Sequence, residues 1–507
     1  MPADGYTIHD ADDDPAPRKP KKPRKPDRRA NLAALLAKVD LWRSPDGVPY
    51  ASVPHGNHRE PMRVAGRNFR AWLIKRFYDH HGAGLSGQAL AETVALAEAR
   101  ALASGCERRP WRRVAWHEGR IYLDLGGSDP AGERRAVEIS ATGWKIIEPA
   151  LVPVAFLRAS DARALPEPEA AAAAPGDLRH FINVEIEGDD LALIWAWIIC
   201  ALRPFPAGGA YPILFLHGEQ GSGKSGAAQI MQALIDPSTL TGRAVPREEH
   251  DLAVTAGNRH LLAFDNLSHI GDNMADCLCR MATGGGFSAR AKYTDADEVA
   301  LSALNPLLLN GIPSNIIARP DLADRALSIE LRPLLGERKR DAELATLFKR
   351  LRPGLLGLTC DGLSAALCNF DRTTIADPPR MVDAATWAKA AASGLGFDPE
   401  RVETAWRDNR NATDRAALAV DDVGQAVVAL VEANAGAWKG SPADLYRELS
   451  GLMPERVTRS PLWPKSASGM ASKLRRLAPA LRAVHRIEAT HGKGGAEGWR
   501  WWSVRKL

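Results

Sequence analysis

A glycine-rich loop between an apolar stretch and a helix-like stretch constrains this chain more than any other feature. Residues 218–225 read GEQGSGKS and fit G-x-x-x-x-G-K-[ST] at every position. The glycines allow positive φ, which turns backbone N–H groups toward an anion, and the helix N-terminus adds partial positive charge. Lys224 supplies a cation for the β- and γ-phosphates, and Ser225 supplies a hydroxyl ligand for Mg²⁺. The loop therefore predicts a site for ATP and Mg²⁺, formed by Gly218, Glu219, Gln220, Gly221, Ser222, Gly223, Lys224 and Ser225.

Composition indicates a globular chain of about three domains. Of its 507 residues, 45% are hydrophobic and 25% are charged, which is ordinary for such proteins. The longest apolar run, Leu191 to Leu202, is too short to span a membrane and predicts a buried helix. The N-terminus has no secretory apolar region, and the cysteines lack metal-site spacing. We therefore predict a cytoplasmic protein with no membrane partner.

Changes in pattern divide the chain into six segments. Residues 1–30 join an acidic patch to a proline-interrupted basic run, which predicts a disordered basic arm that either solubilises the chain or contacts nucleic-acid phosphate. Residues 31–161 carry two helix signals and two hairpin signals, which predicts an α+β domain. The others are a linker at 162–176, an alternating helix–strand core at 177–335, a helix-rich lid at 336–415 and a separate C-terminal unit at 420–507.

Three polar residues that could act on a bound nucleotide follow the loop along the chain. Asp265 ends the apolar strand HLLAFDN, where a carboxylate can hold the Mg²⁺ ion through water. Asn310 ends the buried strand PLLLNGIP, where its amide can contact the γ-phosphate or position water. Arg325 comes just before another strand. Each residue taken singly is also compatible with turn chemistry or a surface ion pair.

This order resembles the motifs of AAA+ ATPases, with Walker A at 218–225, Walker B at Asp265, sensor 1 at Asn310 and an arginine finger at Arg325. The resemblance covers about residues 180–335 and implies a P-loop core, a parallel sheet with helices, in an overall α/β fold. It also implies ATP hydrolysis in a homo-oligomeric ring, expected to be a hexamer. The chain departs from the family at Asn266, where most such motors have a second acid, because an amide orients water but takes no proton. Either another carboxylate is the base, with Glu219, Glu248 and Glu249 as candidates, or hydrolysis is slow.

Residues 282–313 resemble the hairpin region of superfamily 3 helicases and their phage and genomic-island relatives. In that family the hairpin projects into the ring's pore and grips single-stranded DNA. Two predicted strands flank a turn at residues 294–297, whose acidic tip departs from the usual basic one. We therefore expect Arg290 and Lys292, on the first strand, to make the DNA contact.

The C-terminal unit predicts a winged helix. Three amphipathic helix signals precede a hairpin with its turn at KGGAEG, and a basic third helix is typical of major-groove recognition. We expect the core to contain Trp499 and Trp501, and Trp502 to face the other way. A protein-interaction wing is the alternative. The predicted contacts with duplex DNA are Lys473, Arg475, Arg476, Arg482, Lys493 and Arg500.

The favoured hypothesis is an ATP-dependent DNA helicase or translocase from the replication module of a mobile element. One alternative is a primase–helicase, suggested by Asp124 in YLDLG, although no second acid accompanies it. The other is an ATP-switched DNA-binding initiator or defence ATPase that does not unwind, which Asn266 favours. Unwinding polarity, sequence specificity and host partners leave no signal in the sequence.

Overall fold

The computed structural model describes residues 28–103, 106–127, 134–186, 188–205, 209–267, 270–290, 298–311, 320–334, 340–494 and 499–507. The chain divides after Arg108 into two compact units. None of the helices in these ranges combines the length and apolar character that crossing a membrane requires. The predicted arm lies almost wholly outside the described residues.

The first unit is a three-stranded antiparallel sheet with helices packed on it. The strands lie in the order β1-β2-β3. Alternation places Ala51 and Val53 against Phe69 and Leu73, and these side chains form one buried core. The elements are α1 (Arg28–Leu36), β1 (Asp40–Arg43), β2 (Pro49–His55), β3 (His58–Arg63), α2 (Arg67–His81) and α3 (Gly87–Ala103).

The predicted domain 31–161 is wrong as a single unit, because its second half belongs to the unit that begins at Arg109. Both predicted hairpins form there, in a four-stranded antiparallel sheet of order β5-β6-β7-β8. The apolar face of this sheet shares a continuous core with the buried helix α4. The elements are β4 (Pro110–Trp111), β5 (Val114–His117), β6 (Arg120–Asp124), β7 (Ala136–Ser140), β8 (Gly143–Ile147), β9 (Ala155–Phe156) and α4 (Asp190–Ala201).

Two buried arginines hold this sheet in place. The Arg113 Nε donates to the Asp236 carboxylate at 3.0 Å, and its Nη1 donates to the Asp124 carbonyl at 2.8 Å. The Arg158 guanidinium binds both Asp124 carboxylate oxygens, at 2.7 and 2.8 Å. The Asp124 side chain is only 2% exposed. This carboxylate, which suggested a primase, is therefore bound in a structural ion pair.

Replacing Arg158 with Met should lower the free energy of unfolding by about 3–5 kcal/mol, because Asp124 would stay buried without its cation. The matched control is Arg120→Met on the same sheet, since Arg120 pairs with Glu138 at 3.0 Å but is 49% exposed. That change should shift the unfolding midpoint much less, because solvent screens an exposed ion pair. Urea unfolding followed by circular dichroism measures both, and equal unfolding midpoints would contradict the structural role of Arg158.

The predicted linker at 162–176 is also wrong, because residues 169–173 pack against the helix α9 (Asp341–Asn369). The Glu169 N–H donates to the Pro353 carbonyl at 3.0 Å. A Cβ at Gly354 would lie 2.7 Å from the Ala172 carbonyl carbon, and one at Gly357 would clash with the Glu169 carbonyl. Two glycines one helical turn apart thus form a groove that admits a second backbone. We call residues 165–173 the strap.

The centre of the second unit is a parallel sheet, which confirms the mixed α/β class. Its described strands lie in the order β11-β14-β10-β15, and the two central strands, β14 and β10, are buried along all or most of their length. Continuous apolar runs are typical of parallel strands buried on both sides. The elements are β10 (Ile213–Gly218), α5 (Lys224–Ile235), α6 (Glu249–Ala256), β11 (Leu262–Leu267), α7 (Asp272–Thr283), β12 (Gly286–Arg290), β13 (Glu298–Ser302), β14 (Leu307–Gly311), α8 (Pro320–Ala323) and β15 (Ala326–Leu331).

Long helices follow the sheet, as the helix-rich pattern predicted. Helix α9 is joined by α10 (Val382–Ala391) and α11 (Pro399–Val420). Asp398 caps α11 by accepting a hydrogen bond from the Glu400 N–H at 3.1 Å, and Pro399 takes the first helical position. Trp387 and Trp406 bury their rings in the core that contains α4. The helices therefore close one side of the sheet.

The C-terminal unit contains the three predicted helices and the hairpin. Two further elements had no clear sequence signal: β16 and the short helix α14. The core holds Trp502, at 3% exposure, so the predicted orientation of this ring is wrong. The partly exposed Trp501 lies on the other face under Lys439, whose Nζ is 4.9 Å from the ring. The elements are α12 (Asp422–Ala433), β16 (Ala437–Gly440), α13 (Pro442–Leu452), α14 (Glu455–Thr458), α15 (Ala467–His485), β17 (Ile487–Gly494) and β18 (Trp499–Lys506).

Candidate nucleotide site and nucleic-acid interface

The glycine loop joins the carboxyl end of β10 to the first turn of α5. Gly218, Gly221 and Gly223 have φ of 142°, 86° and 85°. Gly223 stands at the helix N-cap in the left-handed region. A Cβ on Gly218 would also collide with the Leu331 carbonyl. Each glycine therefore holds a conformation that other residues adopt only with strain, and the loop turns directly into a helix N-terminus suited to an anion.

Lys224 and Ser225 begin α5 and face different partners. The Lys224 ammonium donates to the carbonyls of Gly218 and Glu219, at 2.9 and 2.7 Å, so it lies over the loop. The Ser225 hydroxyl donates to Asp265 Oδ1 at 2.9 Å. Asp265 lies near the end of the β11 strand, two positions from β10 in the sheet. A hydroxyl beside a carboxylate is an oxygen donor pair that fits Mg²⁺.

Asn310 lies on the neighbouring strand β14 and binds the backbone of the residue that follows Asp265. Asn310 is 1% exposed, and its Oδ1 accepts the Asn266 N–H at 2.7 Å. The Asn310 Nδ2 has no hydrogen-bond partner among the described residues. A buried amide donor without a partner costs free energy, so it is a candidate contact for a ligand oxygen.

The backbone at Asn266 has a conformation that suits asparagine. Its φ is 56°, and the β11–β14 register shifts between Phe264 and Leu267. Asparagine tolerates this left-handed conformation better than most residues. The Asn266 side chain is exposed. Of the alternative bases, Glu249 pairs with Arg280 at 2.8 Å and Glu248 is exposed at the start of α6.

No sequence signal identifies Gly242, which lies beside Asp265. The Arg243 carbonyl accepts the Asp265 N–H at 2.8 Å, so this segment borders β11. Gly242 has a φ of 64°, and a Cβ there would lie 3.3 Å from Asp265 Oδ2. Gly242 thus leaves room around the carboxylate. Only the tertiary contact identifies it, since a single glycine in a loop is common.

Arg325 lies at the opposite end of the sheet from the loop. Its carbonyl accepts the Ile213 N–H at 2.8 Å, and Ile213 is the first residue of β10, whereas Gly218 is the last. Five strand residues separate these ends by about 16 Å. Arg325 Nη1 donates to the Asp321 carbonyl. The guanidinium is therefore not part of its own chain's phosphate site.

Of the two predicted pore contacts, Arg290 is the last described residue of its strand. The strands β12 and β13 pair with Arg290 opposite Glu298, as a hairpin requires. Lys292 and the turn at residues 294–297 lie outside the described residues.

Of the six predicted DNA contacts of the C-terminal unit, one is already paired with a carboxylate and five are exposed. Lys473 is bound to Asp421 at 2.9 Å, so its charge is already paired. Lys493 and Arg500 lie opposite each other on β17 and β18, and both are exposed. Like charges facing each other across a hairpin repel, which favours a bound anion between them. Arg475, Arg476 and Arg482 are exposed on α15.

Two family models match the chain. The actinomycete integrative conjugative element replication protein model matches residues 177–401, and the AICE RepA C-terminal domain model matches residues 423–506. Both describe parts of the same proteins and together cover more than half of the sequence. The chain belongs to this family of replication proteins. The resemblance to replication proteins of mobile elements is thereby confirmed.

Among solved structures, this replication protein is similar to the NrS-1 C-terminal region in its apo A form, at 11% identity and a TM-score of 0.38 over 94% of this chain and 98% of that one. It is also similar to a full-length MCM homolog from Methanopyrus kandleri (16%, 0.30, covering 69% and 90%) and to the JCV helicase (16%, 0.25, covering 44% and 66%). TM-scores this low support no inference. A search of curated proteins found no match.

The first matched region of the replication protein contains the glycine loop together with Asp265, Asn310 and Arg325. The second contains Lys473, Lys493 and Arg500. The candidate nucleotide site and the candidate duplex-DNA surface thus fall in separate parts of the family's sequence.

Proposed function

We propose that this replication protein is an ATP-dependent DNA translocase that works as a ring, with ATP held between protomers. One observation carries the proposal. Ser225, Asp265 and Asn310 gather at one end of the sheet, while Arg325 lies at the other, about 16 Å away. A head-to-tail interface between copies would bring the arginine of one protomer to the loop of the next.

Each residue has a distinct task in this proposal. The loop N–H groups and Lys224 bind the phosphates, and Ser225 and Asp265 hold Mg²⁺. The Asn310 Nδ2 donates to the γ-phosphate or the attacking water. Arg325 from the neighbour stabilises the charge that develops on the transferred phosphoryl group. A Mg²⁺ ion held by Ser225 and Asp265 would neutralise part of that charge.

The deciding experiment measures ATP hydrolysis by the full-length protein with and without single-stranded DNA, and strand displacement on forked duplexes of both polarities. A translocase should hydrolyse ATP faster with single-stranded DNA and should displace a strand on one fork. ATP hydrolysis that ignores DNA, together with no displacement on either fork, would remove the translocase proposal.

We further propose that the C-terminal unit is a winged helix that binds duplex DNA through α15 and the β17–β18 hairpin. Lys493→Ala with Arg500→Ala should weaken duplex binding by roughly 10-fold and reduce the salt dependence of binding by about two charges. The control is Lys506→Ala, at the far end of β18 and also exposed. Fluorescence anisotropy at several salt concentrations measures both effects.

Lys473→Ala provides a second comparison. Because Asp421 already neutralises Lys473, this change should alter the salt dependence much less than the double substitution does. If instead Lys473→Ala weakens binding more than the double substitution does, α15 rather than the hairpin makes the main phosphate contacts.

An ATP-switched initiator that does not unwind is the second candidate function. It is favoured by Asn266, whose left-handed backbone and exposed amide replace the acid expected of a motor. A primase activity has less support, because Asp124 is 2% exposed and bound to Arg158.

A further inference from the structure

We infer that Asn409, on α11, is a positioning residue for Arg325. The inference rests on the proposed function, in which Arg325 acts on the nucleotide of a neighbouring protomer. Asn409 touches β15 three residues beyond Arg325. Its Oδ1 accepts the Ser328 N–H at 3.0 Å, and its Nδ2 donates to the Ser328 carbonyl at 2.6 Å.

These two hydrogen bonds take the place of those that a neighbouring strand would make with β15. Among the described strands, β15 is at the edge of the sheet and pairs with β10 on one side only. The Ser328 N–H and carbonyl point away from β10, where a strand neighbour would otherwise bind them. Only an amide side chain offers an uncharged donor and acceptor in the required arrangement. Asparagine is a poor helix former, so the helix alone gives no reason for it.

Few hydrogen bonds fix the Arg325 side chain among the described residues, so its position depends on that of β15. The guanidinium Nη1 donates to the Asp321 carbonyl, and the buried Nε has no hydrogen-bond partner among the described residues. The preceding residue, Asp324, binds Arg380 at 3.0 Å, but both side chains are substantially exposed. The direction in which Arg325 leaves the sheet is therefore set mainly by β15.

A catalytic guanidinium has little tolerance for displacement. A misplacement of about 1 Å can reduce the rate by about 100-fold. Losing the Asn409 contacts would free the outer side of β15 near its start. The binding of nucleotide should not change, because the phosphate loop lies at the other end of the sheet.

The test uses the full-length protein with Asn409→Ala and, as matched control, Asn411→Ala. Asn411 lies two residues further along the same helix, and its side chain makes no hydrogen bond with any residue that the structure describes. We expect Asn409→Ala to lower kcat for ATP hydrolysis roughly 10- to 100-fold. The Kd for a fluorescent ATP analogue should stay within about twofold. Asn411→Ala should behave as the unmodified protein does.

Mixing two variants distinguishes a misplaced Arg325 from a general structural defect. Combined with Lys224→Ala protomers, which keep both Asn409 and Arg325, the Asn409→Ala protomers should regain part of their activity. The Arg325→Ala protein mixed in the same way is the reference. Circular dichroism checks that each variant is folded, and Asn409→Asp, which keeps the acceptor and loses the donor, replaces Asn409→Ala if that variant does not fold.

Three results would overturn the inference. Asn409→Ala could hydrolyse ATP as fast as Asn411→Ala. It could lose activity without recovery in the mixture while Arg325→Ala recovers, in which case the proposed function stands and the positioning role falls. If Arg325→Ala itself hydrolyses ATP at the unmodified rate, the proposed finger is wrong, and the role of Asn409 falls with it.

Discussion

Lys224→Ala is expected to abolish ATP hydrolysis while leaving the fold intact. The Lys224 ammonium is held over the loop by the Gly218 and Glu219 carbonyls, so it can move onto the β- and γ-phosphates without rearranging the backbone. Its removal leaves the developing negative charge without its nearest cation from the same chain. Phosphate release from ATP, measured under saturating nucleotide, is the readout.

The control for this prediction is Lys349→Ala, an exposed lysine on α9. It should hydrolyse ATP at the unmodified rate, and all three proteins should give the same circular dichroism spectrum. Hydrolysis by Lys224→Ala at the control rate would mean that the glycine loop is not the catalytic nucleotide site.

Arg325→Ala should bind nucleotide normally and hydrolyse it about 1,000-fold more slowly, which is the lower range for loss of an arginine finger. The physical reason is the distance between Arg325 and its own loop, which lie at opposite ends of β10. A neighbour's arginine contributes to catalysis and little to the affinity of the resting site. Single-turnover hydrolysis and nucleotide binding are measured side by side.

Mixing Arg325→Ala with Lys224→Ala tests whether the arginine acts in trans. In an equal mixture, about a quarter of the head-to-tail interfaces would pair an intact loop with an intact arginine. Those interfaces should hydrolyse ATP, although each variant alone does not. If the mixture stays inactive while mass measurements show mixed assemblies, Arg325 is not a trans-acting finger.

Local signals were enough to predict which residues come together at the candidate phosphate site, because its parts are short and follow strands. The glycines of the loop have a steric requirement that no other residue meets, and Asp265 and Asn310 stand at or near strand ends where parallel strands share an edge. The alternation of helix and strand signals along residues 177–335 likewise predicted the mixed α/β class. The left-handed backbone at Asn266 was not predictable, because it depends on the shift in register between β11 and β14.

The sequence predictions were wrong where contacts between residues far apart in the sequence determine the structure. The strap looked like a linker because alanine and proline form no periodic pattern, and its partner groove is nearly 190 residues away in sequence at Gly354 and Gly357. Trp502 was assigned to the wrong face of its strand. In a strand, a shift of one residue moves every side chain to the other face, and the register with β17 decides which ring is buried.

The strap bears on how this protein can be divided. Residue 177 looks like a natural starting point for an isolated ATPase fragment, since the first family match begins there. Such a fragment would lose the strap, the apolar sheet that shares its core with α4, and Arg113, the buried partner of Asp236. A fragment starting at Arg109 keeps all three. A fragment that keeps the packing of the second unit intact therefore begins some seventy residues before the first family match.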